Sequence, residues 1–212
     1  YGLISATNNS VPGGTHEADT TWDGKTFFTQ GIGPNYLQNI GLAVSVASKA
    51  LTVALKTKAI ADASATDPTQ IDFRNATLTT GNYVVRSLVA ASSVVAPSGA
   101  ALGFTSSQTG YVYVYTLDNA GTIEPIVTGS NHWDEATVQS TTAISATADS
   151  GSVLYSTTAR TNVPIRYIGR IKIQTGVVAG EWDNEDTEVY VGNNNKDSRV
   201  SFTPTLLFGG AS

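Results

Sequence analysis

Apolar side chains at every second position are the feature that most constrains this chain of 212 residues. The stretch Tyr111-Val112-Tyr113-Val114-Tyr115 predicts a strand with three tyrosines on one face and two valines on the other, because successive side chains of an extended backbone point to opposite faces. The same period runs through 42–46 and resumes at 51–55. We interpret these two runs as a hairpin, although Ala, Leu and Lys also leave an amphipathic helix open there.

The composition agrees with extended structure. The chain contains 29 Thr, and only 14% of its residues are charged, against about 25% in an average domain. Turn signals such as Pro97-Ser98-Gly99 recur at short intervals without a clear helical pattern. We therefore predict an all-β fold, an antiparallel β-sandwich or jelly-roll-like domain over residues 41–192. An extended N-terminal arm (1–40) and a C-terminal tail or arm (193–212) flank it.

The N-terminal arm carries aromatic residues without a regular period. Trp22, Phe27 and Phe28 are costly to expose on a free tail, so we expect the arm to dock on a neighbouring surface during assembly.

Two details of the central strands follow from single residues. Pro125 lacks the N–H that a ladder needs, which predicts an edge or a bulge. The preceding Asp118-Asn119-Ala120-Gly121 has the residue types of a type I turn closed by a left-handed Gly. A further strand is expected to carry apolar and basic residues on opposite faces, with Ile165, Tyr167, Ile171 and Ile173 on one side and Arg166, Arg170 and Lys172 on the other.

Several functional classes are disfavoured by the residues themselves. Without Cys there is no disulfide scaffold, thiolate metal site or cysteine nucleophile. A net charge of -5 argues against broad contact with nucleic acid or anionic lipid. Ser45, Ser48, Lys49 and Thr52 interrupt the most apolar window, so no membrane anchor is expected. Phosphate-loop, dinucleotide and His-Glu-x-x-His motifs are missing, and we predict no cofactor.

Catalytic and metal candidates are few. His16 and His132 lie near acidic residues but in turn-like segments, which gives a catalytic role little support. Asp183, Glu185, Asp186 and Glu188 form the densest acidic cluster, which would suit calcium or a glycosidase carboxylate pair. A solvated turn explains such spacing more simply. Asp183, Glu185 and Asp186 remain the weak metal candidates.

Two further groups are candidates for binding. Arg166, Arg170 and Lys172 would hold an acidic sugar or phosphate. We favour instead that they form the solvated face of a strand or pair with acids of a neighbouring subunit. Tyr111, Tyr113 and Tyr115 would stack on sugar rings, or else be covered by the arm or a second subunit, which we also favour.

Several stretches together resemble a recurring module of tailed-bacteriophage virion proteins, described as tail fibre or structural proteins. The resemblance covers roughly residues 39–175 and follows a specific order of motifs. These motifs are Asn-Ile-Gly-Leu-Ala-Val-Ser-Val-Ala from residue 39, Ala-Leu-Thr-Val-Ala-Leu-Lys-Thr from 50, Phe-Arg-Asn-Ala-Thr from 73, Tyr-Val-Tyr from 113 with Asp-Asn-Ala-Gly from 118, and Leu-Tyr-Ser-Thr-Thr-Ala-Arg-Thr-Asn-Val-Pro-Ile-Arg from 154.

The resemblance implies a non-enzymatic, surface-exposed virion component, a homotrimer that contacts other virion proteins and reaches a host-surface glycan or reinforces the particle. It carries over no catalytic residue. A capsid decoration protein, either a head fibre or a cement protein, is the first alternative. A small depolymerase or esterase and a free carbohydrate-binding module are the others.

Overall fold

The computed structural model describes residues 36–76, 83–184 and 189–191. All the regular structure in these ranges is β-strand, which confirms the predicted all-β class. None of the described residues belongs to a helix of the length and hydropathy needed to cross a bilayer. Trp22, Phe27, Phe28, Glu185, Asp186 and the predicted C-terminal tail lie outside the described residues.

The fourteen strands of the described residues form three sheets. One small sheet has the order β1-β4-β5, comprising β1 (Leu37–Gln38), β4 (Thr69–Arg74) and β5 (Tyr83–Leu88). The other has the order β2-β3-β6, comprising β2 (Gly41–Ala47), β3 (Ala50–Lys56) and β6 (Ser92–Ala96). The large sheet is built from β7 (Thr109–Asn119), β8 (Thr122–Thr128), β9 (Val138–Gln139), β10 (Thr142–Ala143), β11 (Tyr155–Ser156), β12 (Val163–Thr175), β13 (Trp182–Asn184) and β14 (Val189–Val191).

The large sheet has the order β10-β11-β8-β7-β12-β13, and both β9 and β14 also pair with β12. Its pairings are antiparallel except for the short parallel pair of β10 and β11. Residues 37–38 of the predicted arm already belong to a sheet, since β1 pairs with β4.

The hairpin predicted from the first two alternating runs is confirmed, and the helical alternative is wrong. Strands β2 and β3 pair in register, with Val44 opposite Val53. Ser48 and Lys49 form the connecting turn with φ values of 50° and 64°. Positive φ at both turn positions matches the right-handed twist of the two strands, as in a type I′ turn.

The main core lies between the large sheet and the two small sheets. Strands β5 and β6 pack against β8, and β4 packs against β12. The core joins Leu51, Val53 and Phe73 of the small sheets to Val112 and Val114 of β7, and all five are buried. The architecture is therefore the curled, sandwich-like arrangement that the sequence predicts.

A second, smaller core covers part of the outer face of the large sheet. Tyr115 and Tyr167 lie at its centre, with Leu117, Ile126 and Leu154 around them. Trp133, from the loop between β8 and β9, packs against the edge of this cluster. The loop thus covers one end of a face that would otherwise be open to solvent.

The predicted single apolar face of β12 is wrong, because a bulge reverses the alternation within the strand. Tyr167 lies opposite Tyr115, and Gly169 lies opposite Val114, so Ile168 is an extra residue. Tyr167 accordingly belongs to the outer cluster, whereas Ile171 belongs to the main core. An added residue shifts every later side chain to the other face.

Two local predictions need refinement. Strand β8 is an inner strand, but β11 pairs only with its Ile126 and Val127, so Pro125 lies just beyond the end of that ladder. The turn after β7 is a two-residue loop rather than the predicted type I turn, because Ala120 and Gly121 have φ values of 48° and 105°.

Candidate functional site

The outer face of the large sheet brings together members of the two groups that the sequence marks as binding candidates. Beyond the β12 bulge, Arg170 lies opposite Tyr113, and Lys172 lies opposite Tyr111. Residues directly opposite each other on antiparallel strands share one face of a sheet. The basic residues and the tyrosines, predicted as separate features, therefore lie side by side.

Arg170 contacts two aromatic rings. Its guanidinium carbon is 4.7 Å from the centre of the Tyr111 ring and 4.8 Å from the centre of the Tyr190 ring. The two rings approach edge to face with centroids 6.4 Å apart. Such contacts stabilise a cation through the negative potential of the ring faces and hold the planar guanidinium in one orientation. We call Tyr111, Tyr113, Arg170, Lys172 and Tyr190 the Tyr–Arg patch.

The three predicted tyrosines have different environments. Tyr115 is fully buried and packs edge to face on Tyr167, with ring centroids 5.2 Å apart. Tyr111 and Tyr113 are half-buried, and Tyr190 is 43% exposed. Only the two outer tyrosines of β7 therefore reach the surface, and Tyr190 of β14 supplies the third ring.

Arg166 does not belong to this patch, and the prediction of one basic stripe is wrong. It precedes the bulge and points into the interior, where its guanidinium donates to the backbone oxygen and to Oδ2 of Asp72, each at 2.9 Å. It also donates to Oε2 of Glu135 at 2.7 Å, and the Tyr83 ring lies 5.9 Å away. The partner acids belong to the same chain rather than to a neighbouring subunit.

Glu135 holds the loop between β8 and β9 against the large sheet. One of its carboxylate oxygens accepts from Arg166, and the other accepts from the backbone N–H of Tyr167. Burial raises the pKa of the Glu135 carboxyl from its ordinary value, and the nearby Arg166 charge lowers it by less. Sequence analysis did not select Glu135 or Asp72, since a single acid carries no local signal of a partner far along the chain.

The acidic cluster is described only in part. Asp183 forms an exposed ion pair with Lys49 of the β2–β3 turn. The Lys49 ammonium donates a hydrogen bond to the Asp183 carboxylate, which raises the pKa of Lys49. Glu185 and Asp186 lie outside the described residues. Among the residues that are described, no three or more His, Asp or Glu side chains group as a metal site would require.

His132 lies in the exposed loop between β8 and β9, next to the outer cluster. Its ring stacks on Trp133 with centroids 4.7 Å apart, and its Nδ1 is 2.5 Å from the hydroxyl oxygen of Ser130. This pair has the residue types of a nucleophile and a base, but a hydrolase triad also uses a carboxylate to orient the His. In the described part of the chain, no carboxylate contacts this ring. His16 lies outside the described residues.

Tyr190 is the member of the patch that sequence reasoning missed. It lies in Val189-Tyr190-Val191, a short alternating run whose signal is weak over three residues.

Comparison with family models, curated proteins and solved structures found no match to the chain.

Proposed function

We propose that the chain is a non-enzymatic structural subunit of a bacteriophage virion, exposed on the particle surface and acting in attachment or assembly. The order of motifs that resembles tailed-phage proteins supports this, because those motifs are spread along the chain from β2 to the start of β12. Its proposed partners are other virion proteins and two further copies of itself in a homotrimer.

The structural observation that best supports a subunit role is the exposed tip between β12 and β13. Val177 and Val178 are 83% and 53% exposed at neighbouring positions. Adjacent large apolar side chains on a surface mark contact sites more often than scattered ones do. Packing this tip against another protein would remove apolar area from water, which is favourable at about 25 cal/mol per Å².

The buried charges support a structural role as well. Arg166, Asp72 and Glu135 join β4, β12 and the β8–β9 loop, which are far apart along the chain. Such a network within one chain holds these elements in one arrangement. It gives the subunit a rigid body from which its surface contacts are presented.

Locating the chain on intact particles tests the proposal. Gold-labelled antibodies against the purified chain are applied to phage particles whose genome encodes it, and the label is imaged by electron microscopy. Label at the tail supports the fibre role. Label over the shell or its vertices supports instead the capsid decoration alternative, which the same resemblance allows. Unlabelled particles, with the chain also missing from their protein content, would refute both.

A further inference from the structure

We infer that the Tyr–Arg patch is a binding site for an acidic saccharide, with Arg170 as the group that recognises the sugar carboxylate. The inference extends the proposed structural role to a ligand, but its geometry does not depend on the virion assignment. It rests on the strand register, on the contacts of Arg170 and on the charge balance around it.

The first step concerns the position of Arg170. Its two ring contacts, to Tyr111 and Tyr190, fix the guanidinium at the outer face of the sheet. Because the two ring centroids are only 6.4 Å apart, the rings lie at about a right angle as seen from the guanidinium carbon and not on its two opposite faces. The N–H groups on the side away from both rings are therefore the part left to contact a ligand. A fixed guanidinium loses less entropy on binding than a free side chain, so the site is organised in advance.

The second step concerns charge. Arg86, Arg160 and Arg166 each contact a carboxylate, in the pairs Arg86–Asp118, Arg160–Glu124 and Arg166 with Asp72 and Glu135. Arg170 contacts no carboxylate in the described part of the chain. Its Nε is moreover buried and has no hydrogen-bond partner among those residues. Arg170 as a whole is only partly buried, so its charge, which no carboxylate of the described residues matches, is open to an external anion.

The third step identifies the class of anion. A carboxylate matches the forked edge of a guanidinium with two parallel hydrogen bonds. The half-buried Tyr113 beside Arg170 and the exposed part of Tyr190 offer apolar ring surface with polar hydroxyl tips. A sugar ring has the matching combination of C–H faces and hydroxyls. An acidic sugar satisfies both requirements, whereas a nucleic acid would need a larger basic surface than a chain of net charge -5 provides.

Binding is tested with the purified full chain and two defined probes, an oligogalacturonate and an α-2,8-linked oligosialic acid. The neutral control is the methyl ester of the oligogalacturonate, which keeps the sugar rings and removes the charge. Calorimetry measures the affinity, and the ¹⁵Nε–H signal of Arg170 reports contact directly. We expect at least one acidic probe to bind and to shift this signal, and the methyl ester to bind at least tenfold more weakly.

Variants distinguish binding at the Tyr–Arg patch from nonspecific electrostatic attraction of the probe to the chain. R170Q is expected to weaken binding of the acidic probe at least tenfold, and R170K, which keeps the charge but loses the fork, several-fold. K58Q removes one exposed positive charge elsewhere and is expected to leave binding unchanged. Should R170Q fail to fold, the signal shift in the unaltered chain and the R170K result still decide the question.

Clear outcomes would overturn the inference. These are no binding of either acidic probe at millimolar concentration, equal affinity for the methyl ester, an unshifted Arg170 signal, or equal losses in R170Q and K58Q. Each of these would leave the virion proposal standing, because particle labelling tests that independently. Conversely, particles without label would leave a measured saccharide affinity intact.

Discussion

Arg166 links three parts of the interior that are far apart along the chain. It is 1% exposed and donates to groups on two other elements, the β4 strand and the loop that carries Glu135. Both acids lie in an environment where charge is poorly solvated, so each depends on the guanidinium. A buried ion pair adds little to stability relative to an apolar replacement of the whole network, yet losing one partner is costly.

Replacing Arg166 alone should therefore destabilise the fold strongly. We expect R166M to lose about 3–5 kcal/mol of unfolding free energy, because Asp72 stays buried without its cation. R160M removes the partly exposed Arg160–Glu124 pair and should cost about 1 kcal/mol or less. Urea unfolding followed by tryptophan fluorescence measures both. Equal losses in the two variants would show that burial of Arg166 is not the cause.

The raised pKa of Glu135 leads to a separate prediction about how the unfolding free energy depends on pH. Because burial raises its folded-state pKa above the ordinary value of 4.5, the folded chain keeps this proton over a range where the unfolded chain has lost it. The contribution of Glu135 to stability is therefore fully present below pH 4.5 and decreases as pH rises through the folded-state pKa. One proton limits the slope to about 1.4 kcal/mol per pH unit.

The variant E135Q cannot ionise, so it should lack this decrease. We expect the unfolding free energy of E135Q minus that of the unaltered chain to rise as pH increases from 4.5. Urea unfolding at several pH values measures this difference, in which the titration of groups that do not interact with Glu135 cancels. A difference that is constant or falls over this range contradicts the assignment.

At the level of elements, the β12 bulge determines which side chains form the candidate site. It separates Arg166 from Arg170 and brings Arg170 to the tyrosine face. Gly169, beside the bulge, lets β14 approach closely, since a Cβ atom built there would overlap the carbonyl oxygen of Tyr190. The position of Tyr190 next to Arg170 thus depends on a glycine in the neighbouring strand.

Substituting Gly169 should displace β14. We expect G169A to lower stability by about 1–3 kcal/mol through overpacking and to separate Tyr190 from Arg170. G176A is the matched control, because its Cβ would meet neighbouring atoms only at 3.5 Å or more. Urea unfolding gives the stability of each variant, and nuclear Overhauser contacts between the Tyr111 and Tyr190 rings report the position of β14. Retention of those contacts in G169A would contradict the close approach.

The same bulge explains how much the sequence could predict. Alternation identified β2, β3 and β7 well, because each run is long and its apolar residues reach the main core. Gly169 is the one residue type in β12 that hints at a bulge, but a single Gly does not fix the register, so the faces of Arg170 and Lys172 could not be assigned. The Tyr–Arg patch also needed the register between β7, β12 and β14, which depends on distant pairing rather than local pattern.

At the scale of the whole molecule, two cores of different size occupy the two faces of the large sheet. The main core is closed on both sides by sheets, whereas the outer one is covered by the β8–β9 loop and leaves the Tyr–Arg patch beside it. The Tyr–Arg patch consists of charged and aromatic residues, whereas the β12–β13 tip consists of apolar residues. The two surfaces share no residue. The proposed subunit contact and the inferred saccharide contact can therefore be altered independently.

Removing the apolar tip should weaken self-association without unfolding the subunit. We expect the unaltered chain to sediment as a trimer, and the double variant V177D/V178D to shift towards monomer by at least tenfold in the association constant. Both side chains are exposed, so the unfolding free energy of the monomer should change by no more than about 0.5 kcal/mol.

V89D alters another exposed valine, 51% accessible, and controls for a general loss of surface apolarity. Analytical ultracentrifugation over a concentration series distinguishes the variants. Unchanged association in V177D/V178D, or an equal shift in V89D, would exclude the tip as the contact, because its desolvation is the only driving force assigned to it.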